Sequence, residues 1–188
     1  MKRTIILFLA VFTLLTAHTP QTADANLTKG ASAVLTSEAK LVPQKEKDNR
    51  AEILEAYLES YNSPLAPHAK TFIEEADKNN LDWRLVPAIT GLESYFGQMI
   101  PPYSNNGWGY GVYGNNVRRF ATWDEGIQVV TTALRKEYID TRGARNVYEI
   151  GATYAADPNW ANKVIHYMDE IDAFVEKAES KPTISLSL

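Results

Sequence analysis

A glycine- and aromatic-rich segment, residues 97–120, interrupts a chain whose other patterns are helical, and it constrains the fold more than any other feature. The residues in it that break a helix are Pro101, Pro102, Gly107, Gly109, Gly111 and Gly114. A regular helix cannot continue through such a run. We call residues 97–120 the lobe. The sequence predicts a mostly α-helical domain in which this lobe forms a small irregular or β-hairpin insert.

Apolar residues recur at helical spacing on both sides of the lobe. Before it, three helices are expected: one from Asp48 to about Asn62, one from Pro67 to Asn80, and one that starts near Asp82 and carries Glu93. Pro87 is expected to kink the third helix or to delay its regular start. After the lobe, capping residues predict helix starts at Thr122, Asn146 and Asp157.

The N-terminal region has the pattern of an export signal. Lys2 and Arg3 precede an apolar run of 14 residues, and Ala23-Asp24-Ala25 offers a cleavage site of small residues. A membrane span needs about 20 apolar residues, so we expect cleavage, with an uncleaved anchor as the alternative. Residues 26–47 are predicted to be a flexible linker, 48–178 the folded domain and 179–188 a disordered tail.

Charge and cysteine content exclude several classes of function. Cleavage after residue 25 would move the net charge from −4 to −5, and binding of nucleic acid or an anionic membrane needs clustered Lys and Arg. The chain has no cysteine, so disulfides and thiol catalysis are excluded. We therefore expect a secreted or cell-envelope monomer that binds neither nucleic acid nor, after cleavage, a membrane.

Glu93 is the strongest candidate for a catalytic group. In the third predicted helix, Leu85, Ile89, Leu92 and Phe96 fall on one apolar face. Glu93 lies at the edge of that face, where loss of hydration would raise the pKa of its carboxyl. A raised pKa suits a general acid at neutral pH. The alternative is a boundary glutamate whose head reaches solvent and has no chemical role.

The lobe has the composition of a carbohydrate site. The rings of Trp108, Tyr110 and Tyr113 could stack on sugar faces, and amides such as that of Asn106 could bind hydroxyl and N-acetyl groups. The alternative is that these rings fill the core of the lobe. Ser94, beside the acid, is placed among the substrate-site residues but is expected to hydrogen-bond locally and not to act as a nucleophile.

Other chemistries have weaker support. Gly109 to Gly114 matches G-x-G-x-x-G, but no strand precedes it and no helix follows it, so nucleotide binding is not expected. His68 and His166 lie far from other ligand-type clusters and are expected to be ordinary helix residues. We expect neither a metal nor a cofactor.

A second carboxylate beside Glu93 is missing from the local sequence. No Asp or Glu occurs from Ser94 to Trp123, and Asp124, Glu125 and Asp157 are expected at helix starts. Most glycosidases use two carboxylates, but the 2-acetamido group of an N-acetylated sugar can replace one of them. A single acid would therefore restrict the substrate to such sugars.

Three blocks of the chain resemble the bacterial cell-wall glucosaminidase family (glycoside hydrolase family 73), within the lysozyme-like superfamily that also contains lytic transglycosylases. The blocks are ITGLESYFG, SNNGWGYGVYG, and the pair RRFATWDEGIQVVTTAL with YAADPNWANKV. The resemblance extends from about Tyr57 to Ile171. It implies a lysozyme-like fold, Glu93 as the catalytic acid and Tyr154 as the active-site tyrosine near that acid.

The resemblance also implies a function. The expected activity is cleavage of β-1,4 glycosidic bonds in peptidoglycan, in the manner of an endo-β-N-acetylglucosaminidase. Two alternatives remain open. One is a lytic transglycosylase that forms an anhydro-sugar, although the Gly-Leu-Met-Gln and Ala-Tyr-Asn-Ala-Gly motifs of many such enzymes are absent. The other is a glycan-binding module without catalysis.

Overall fold

The computed structural model describes residues 48–114 and 116–180. The predicted signal peptide and linker, and all of the predicted tail except two residues, lie outside this part. The helices are α1 Arg50–Ser60, α2 Ala69–Asn79, α3 Leu85–Ser94, α4 Trp123–Ala133, α5 Val147–Tyr154 and α6 Trp160–Glu179. A 3₁₀ turn, Ala66–His68, leads into α2, and a π-helical segment, Leu134–Thr141, continues α4.

Helix α3 lies at the centre of the domain. Eight of its ten residues are buried, so it has protein on nearly every side. It packs most extensively along α6, while α2 packs against α1 and α4. Fully buried side chains such as Leu54, Phe72, Ile127 and Ile171 join these helices into one core. The helix that ends at the candidate acid is therefore the most firmly enclosed element of the domain.

Local sequence signals set several of the observed helix ends. Asn80 takes the left-handed conformation that ends α2. Thr122 and Glu125 form the predicted capping box, since the Thr122 hydroxyl accepts from the Glu125 amide and the Glu125 carboxylate accepts from the Ala121 amide. The Asn146 side chain caps α5 in the same way. These three predictions are confirmed.

Two helix boundaries differ from the expectation. Asp157 is not the N-cap of α6: its carboxylate accepts from the Asn159 amide and its carbonyl from the Trp160 amide, so it organises the turn before the helix. Phe96 is not on the face of α3, because α3 stops at Ser94, and Tyr95 and Phe96 take left-handed conformations with φ of 49° and 55°. The reversed chain returns the Phe96 ring to the core.

Gly91 makes room for this reversal. A Cβ atom at Gly91 would lie 2.8 Å from Phe96 Cζ and 2.9 Å from Tyr167 Cγ. Because the position carries no side chain, the Phe96 ring can pack directly on the backbone of α3. Pro87 lies in the first turn of α3, where a missing N–H is tolerated, so the helix starts late and is not broken.

The lobe follows α3 as irregular chain. Its only β-type pairing within the described residues is the bridge between Tyr113 and Asn116, with two N–H···O bonds of 3.0 Å. The predicted mostly α fold with a small irregular or hairpin insert is confirmed. No helix in residues 48–114 and 116–180 is long and apolar enough to span a membrane.

Candidate active site

Glu93 lies in the last turn of α3, at the edge of the core and open to solvent on one side. Its Oε1 accepts a 2.7 Å hydrogen bond from the indole Nε1 of Trp160, the first residue of α6. The lobe passes close by: a Cβ atom at Gly109 would be 3.6 Å from Glu93 Oε2. The carboxyl is therefore held between the start of α6 and the backbone of the lobe.

The surroundings of Glu93 raise the pKa of its carboxyl. The main cause is loss of hydration, which penalises the charged form, while the hydrogen bond from Trp160 works in the opposite direction. The direction agrees with the argument made from the apolar face of α3. A carboxyl of this kind keeps its proton to higher pH than an ordinary glutamate and can donate it to a bound molecule.

Tyr154 lies next to this acid through a stacked pair of rings. Its ring stacks on that of Trp160, with centroids 4.7 Å apart, and its hydroxyl donates to the Trp108 carbonyl at 2.8 Å. Burial and the nearby Glu93 raise the pKa of Tyr154 well above its usual value, so the hydroxyl stays neutral. The structure thus brings Tyr154 close to Glu93, 61 positions away in sequence.

A cleft of about 340 Å³ is lined in part by Tyr154 and by Gly109, the lobe residue that passes close to the Glu93 carboxyl. One wall comes from residues 109–114 and 116–118, which we call the outer part of the lobe, and the other comes from the π-helical segment and the end of α5. Its lining includes Gly109, Tyr110, Tyr113, Arg118, Glu137, Tyr138, Arg142 and Tyr154. A second cavity of about 390 Å³ shares Tyr110, Arg118 and Glu137, but its lining includes neither Gly109 nor Tyr154. The first cleft is therefore the better candidate for a substrate site.

Two of the three predicted stacking residues line this cleft. The side chain of Tyr113 is 78% exposed, and Tyr110 is half-buried, with its hydroxyl donating to Glu137 Oε1 at 3.2 Å. Both rings lie on the outer part of the lobe. Their contact with a sugar stays a prediction.

Trp108 cannot serve as a stacking platform, so this prediction is wrong. Its ring is completely buried and packs against Phe72, Phe120 and Trp123. Its indole Nε1 donates to the Val86 carbonyl, which ties the lobe to the start of α3. The alternative that this ring fills the core is correct for Trp108.

Asn106 and Ser94 are also buried, and neither can contact a substrate directly. The Asn106 amide donates to the carbonyls of Tyr110 and Arg118 and accepts from the Tyr110 amide. The Ser94 hydroxyl lies 2.8 Å from the Gly107 carbonyl and accepts from the Gly97 amide. Both were predicted in the substrate site, and both instead hold the lobe in place. The expectation of local hydrogen bonding by Ser94 is confirmed.

Several residues of the site were missed by the sequence argument. Trp160 lies in the block YAADPNWANKV but was assigned no role from the sequence, yet its indole donates to the acid. Glu137 and Arg142 line the cleft but lie outside the family-like blocks, and Arg118 lies at the start of one block but was assigned no role. A π-helical segment is a frequent sign of a functional site, but its wider hydrogen-bond pattern has no clear mark in the sequence.

No metal centre is seen in the part of the chain that the structure describes, since no three His, Asp or Glu side chains there converge as ligands. His68 instead pairs with Asp124 at 2.8 Å, and His166 faces Glu170 on α6 at 3.4 Å. Neither histidine lines the cleft.

Comparison with known proteins gives matches only among solved structures. No family model matches the chain, and no curated protein does. The fold matches that of S. aureus autolysin E in two structures. One is a catalytic mutant in complex with the disaccharide NAG-NAM (17% identity, TM-score 0.53), the other a complex with the muropeptide NAM-L-Ala-D-iGlu (18% identity, TM-score 0.55).

The chain has the fold of autolysin E. Each match covers 67% of this chain and 68% of the other. The predicted lysozyme-like helical fold is thereby confirmed. At such identities the likeness carries no assignment of activity, which has to rest on the site itself.

Proposed function

We propose that this protein is a glycosidase of bacterial cell walls that cleaves β-1,4 bonds of the peptidoglycan glycan, in the manner of an endo-β-N-acetylglucosaminidase. The observation that carries the proposal is the environment of Glu93, a partly desolvated carboxyl that is held by Trp160 and lies close to Gly109, a residue of the open, aromatic-lined cleft. The fold shared with autolysin E, whose structures contain peptidoglycan fragments, supports it.

Glu93 acts as the general acid in this proposal. Its raised pKa keeps a proton on the carboxyl to higher pH than in an ordinary glutamate, and proton transfer to the glycosidic oxygen lets the leaving sugar depart as an alcohol. The Trp160 indole favours the carboxylate once the proton has left, because it donates to Oε1. One contact thus orients the acid and stabilises its conjugate base.

The positive charge that develops at the anomeric carbon needs a second group. The substrate's own 2-acetamido oxygen can attack that carbon as the leaving group departs, and water then opens the cyclic intermediate. The cleft contains one carboxylate, Glu137, and its Oε1 accepts from the Tyr110 hydroxyl. We assign the assistance to the acetamido group, with Glu137 as a residue of the cleft wall.

Tyr154 is proposed to shape the site and not to transfer a proton. Its raised pKa keeps it neutral, and its hydroxyl is already donated to the Trp108 carbonyl. It fixes the Trp160 ring by stacking, and thereby the donor to Glu93. Tyr110 and Tyr113 offer rings to the sugars on the opposite wall.

Replacement of the acid tests the proposal. Glu93→Gln retains an acceptor for the Trp160 indole but cannot protonate a leaving group, so turnover on purified peptidoglycan should fall at least about 100-fold. Glu55→Gln, an equivalent change on the exposed face of α1, should leave turnover unchanged. Unchanged wall clearing by a folded Glu93→Gln protein would overturn Glu93 as the general acid. Binding of wall glycan without any clearing by the unsubstituted protein would show a glycan-binding module without catalysis.

Product masses separate hydrolysis from transglycosylation. A hydrolase adds water and gives reducing ends, whereas a lytic transglycosylase gives 1,6-anhydro products that are 18 mass units lighter, the mass of the water not added. We expect reducing N-acetylglucosamine ends in digests analysed by mass spectrometry. Anhydro-muramyl ends would place the chain among the transglycosylases, with Glu93 in the same role.

The proposed site of action is outside the cytoplasm. The export signal predicted for residues 1–25 supports this, and so does the proposed substrate, since the wall glycan lies beyond the membrane. We propose that the mature protein acts as a monomer without cofactor or metal.

A further inference from the structure

The cleft contains two arginines that have no acidic partner among the residues that the structure describes. Among the described residues, Arg50, Arg84, Arg135 and Arg145 each form an ion pair with Asp or Glu. Of the remaining arginines in that part of the chain, Arg118 and Arg142 both line the cleft. Arg119 lies outside it and donates to the Pro102 carbonyl.

Aromatic rings hold both guanidinium groups in place. Arg118 Cζ is 5.0 Å from the centroid of the Tyr110 ring and 5.4 Å from that of Phe120. Arg142 Cζ is 5.1 Å from the Tyr138 ring. A ring face fixes the plane of a guanidinium but uses none of its N–H donors. These arginines are therefore oriented in advance, with donors available for an anion.

The local charge of the cleft is opposite to that of the whole chain. The chain carries a net charge of −4, whereas the cleft lining contains two guanidinium groups and one carboxylate, Glu137. Glu137 is engaged by the Tyr110 hydroxyl and lies beyond ion-pair distance of both arginines. A cleft that only had to bind neutral sugars would not need this charge, because its rings and hydroxyls suffice.

We propose that Arg118 and Arg142 form a carboxylate subsite for the acidic branch of muramic acid. This inference rests on the proposed function, since it places that branch of the glycan in the same cleft. The carboxylate could belong to the lactyl ether or to the peptide attached to it. A neutral glycan made only of N-acetylglucosamine carries neither, so the subsite distinguishes wall glycan from chitin.

Binding measurements by calorimetry test this subsite without turnover. The probes are the neutral disaccharide N,N′-diacetylchitobiose, the disaccharide NAG-NAM with its free lactyl carboxylate, and the muropeptide NAM-L-Ala-D-iGlu. The full chain with Glu93→Gln is the reference protein. At low salt at least one acidic probe should bind about tenfold or more tightly than the neutral one, and this preference should weaken as salt is raised.

Substitution of the arginines should remove the preference. In Arg118→Gln/Arg142→Gln, affinity for the acidic probe should fall about tenfold to the level of the neutral one, while diacetylchitobiose binding stays the same. Arg119→Gln is the matched control and should retain the preference. Unchanged melting temperatures for these variants separate loss of a binding group from loss of packing on the rings.

The probes also identify the source of the carboxylate. Loss of affinity for NAG-NAM assigns the subsite to the lactyl group, and loss confined to the muropeptide assigns it to the peptide. Any of three results would overturn the subsite. These are equal binding of acidic and neutral probes, no measurable binding of either acidic probe, and a preference for the acidic probe that survives in the double variant. If wall clearing still depends on Glu93, only the subsite fails. Unchanged wall clearing by Glu93→Gln would instead overturn the proposed role of Glu93 as the acid, whatever the binding measurements show for the arginines.

Discussion

The inner and outer parts of the lobe have similar compositions and opposite environments. In the inner part, residues 104–108, the side chains of Ser104, Asn106 and Trp108 are at most 3% exposed. In the outer part, Val112 is 38% and Tyr113 78% exposed, and the chain lines the cleft. The two parts adjoin in sequence, and both contain aromatic residues and glycines. Composition alone therefore does not show which residues meet a substrate.

The two parts of the lobe differ in the partners to which their polar side chains hydrogen-bond. Asn106 uses both its amide hydrogens and its carbonyl oxygen on the backbone of the lobe, and the Trp108 indole donates to α3. No donor remains for a ligand. In the outer part, the guanidinium of Arg118 lies on rings and has no acidic partner among the described residues. The inner part holds the cleft in position, and the outer part offers contacts to it.

Trp108→Ala should give the largest loss of stability among substitutions in the two parts of the lobe. Removal of a completely buried indole leaves a cavity between α2, α3 and the lobe, so the free energy of unfolding should fall by about 3–5 kcal/mol. Urea denaturation followed by circular dichroism measures this. Tyr113→Ala, at the exposed end of the same lobe, is the control and should lose less than about 0.5 kcal/mol. Equal losses would contradict the division of the lobe.

Asn106→Ala should give the next largest loss of stability. It leaves the Tyr110 and Arg118 carbonyls and the Tyr110 amide without their partner, at a cost of about 1–3 kcal/mol in the free energy of unfolding. Hydrogen exchange should accelerate at Tyr110. Asn116→Ala, which changes an exposed asparagine in the outer part, should change neither the free energy of unfolding nor the hydrogen exchange at Tyr110. If activity fell while stability and exchange stayed the same, Asn106 would contact substrate after all.

Tyr113→Ala should affect binding and not stability. A lost stacking contact of about 0.5–1.5 kcal/mol raises KM on soluble glycan strands about two- to tenfold, with little change in kcat. Tyr103→Ala is the matched control, because Tyr103 is 93% exposed in the same lobe but does not line the cleft. If both variants left KM unchanged, the outer part would have no part in binding.

Trp160→Phe should shift the pH profile without removing activity. Trp160 is buried like Trp108, but its indole donates to Glu93, and this bond lowers the pKa of a carboxyl whose pKa desolvation raises. Loss of the donor should raise that pKa further. Since the acid works in its protonated form, the alkaline limb of kcat/KM should move to higher pH.

Initial rates from pH 4 to 9 measure this shift. Trp123→Phe, which alters a half-buried indole elsewhere, should leave the alkaline limb in place. A limb that moved to lower pH in Trp160→Phe would show that the indole does not favour the carboxylate and would remove Glu93 as the titrating acid.

Much of the helical framework could be predicted from sequence because its signals are local. Asn80, Thr122 with Glu125, and Asn146 each act on backbone groups within a few residues. The left-handed pair Tyr95 and Phe96 was missed, since neither residue favours positive φ by itself. The conformation is held by the tertiary fit of the Phe96 ring over Gly91.

The sequence by itself determined the helical class, the position of the lobe and the reason for a raised pKa at Glu93, because each follows from spacing along one element. Only the tertiary structure decided which lobe residues are buried. It also decided that Trp160, 67 positions further on, donates to the acid, and that Arg118, Glu137 and Arg142 share a cleft with Tyr154. Contacts between distant elements depend on how the helices pack, and local periodicity does not record that packing.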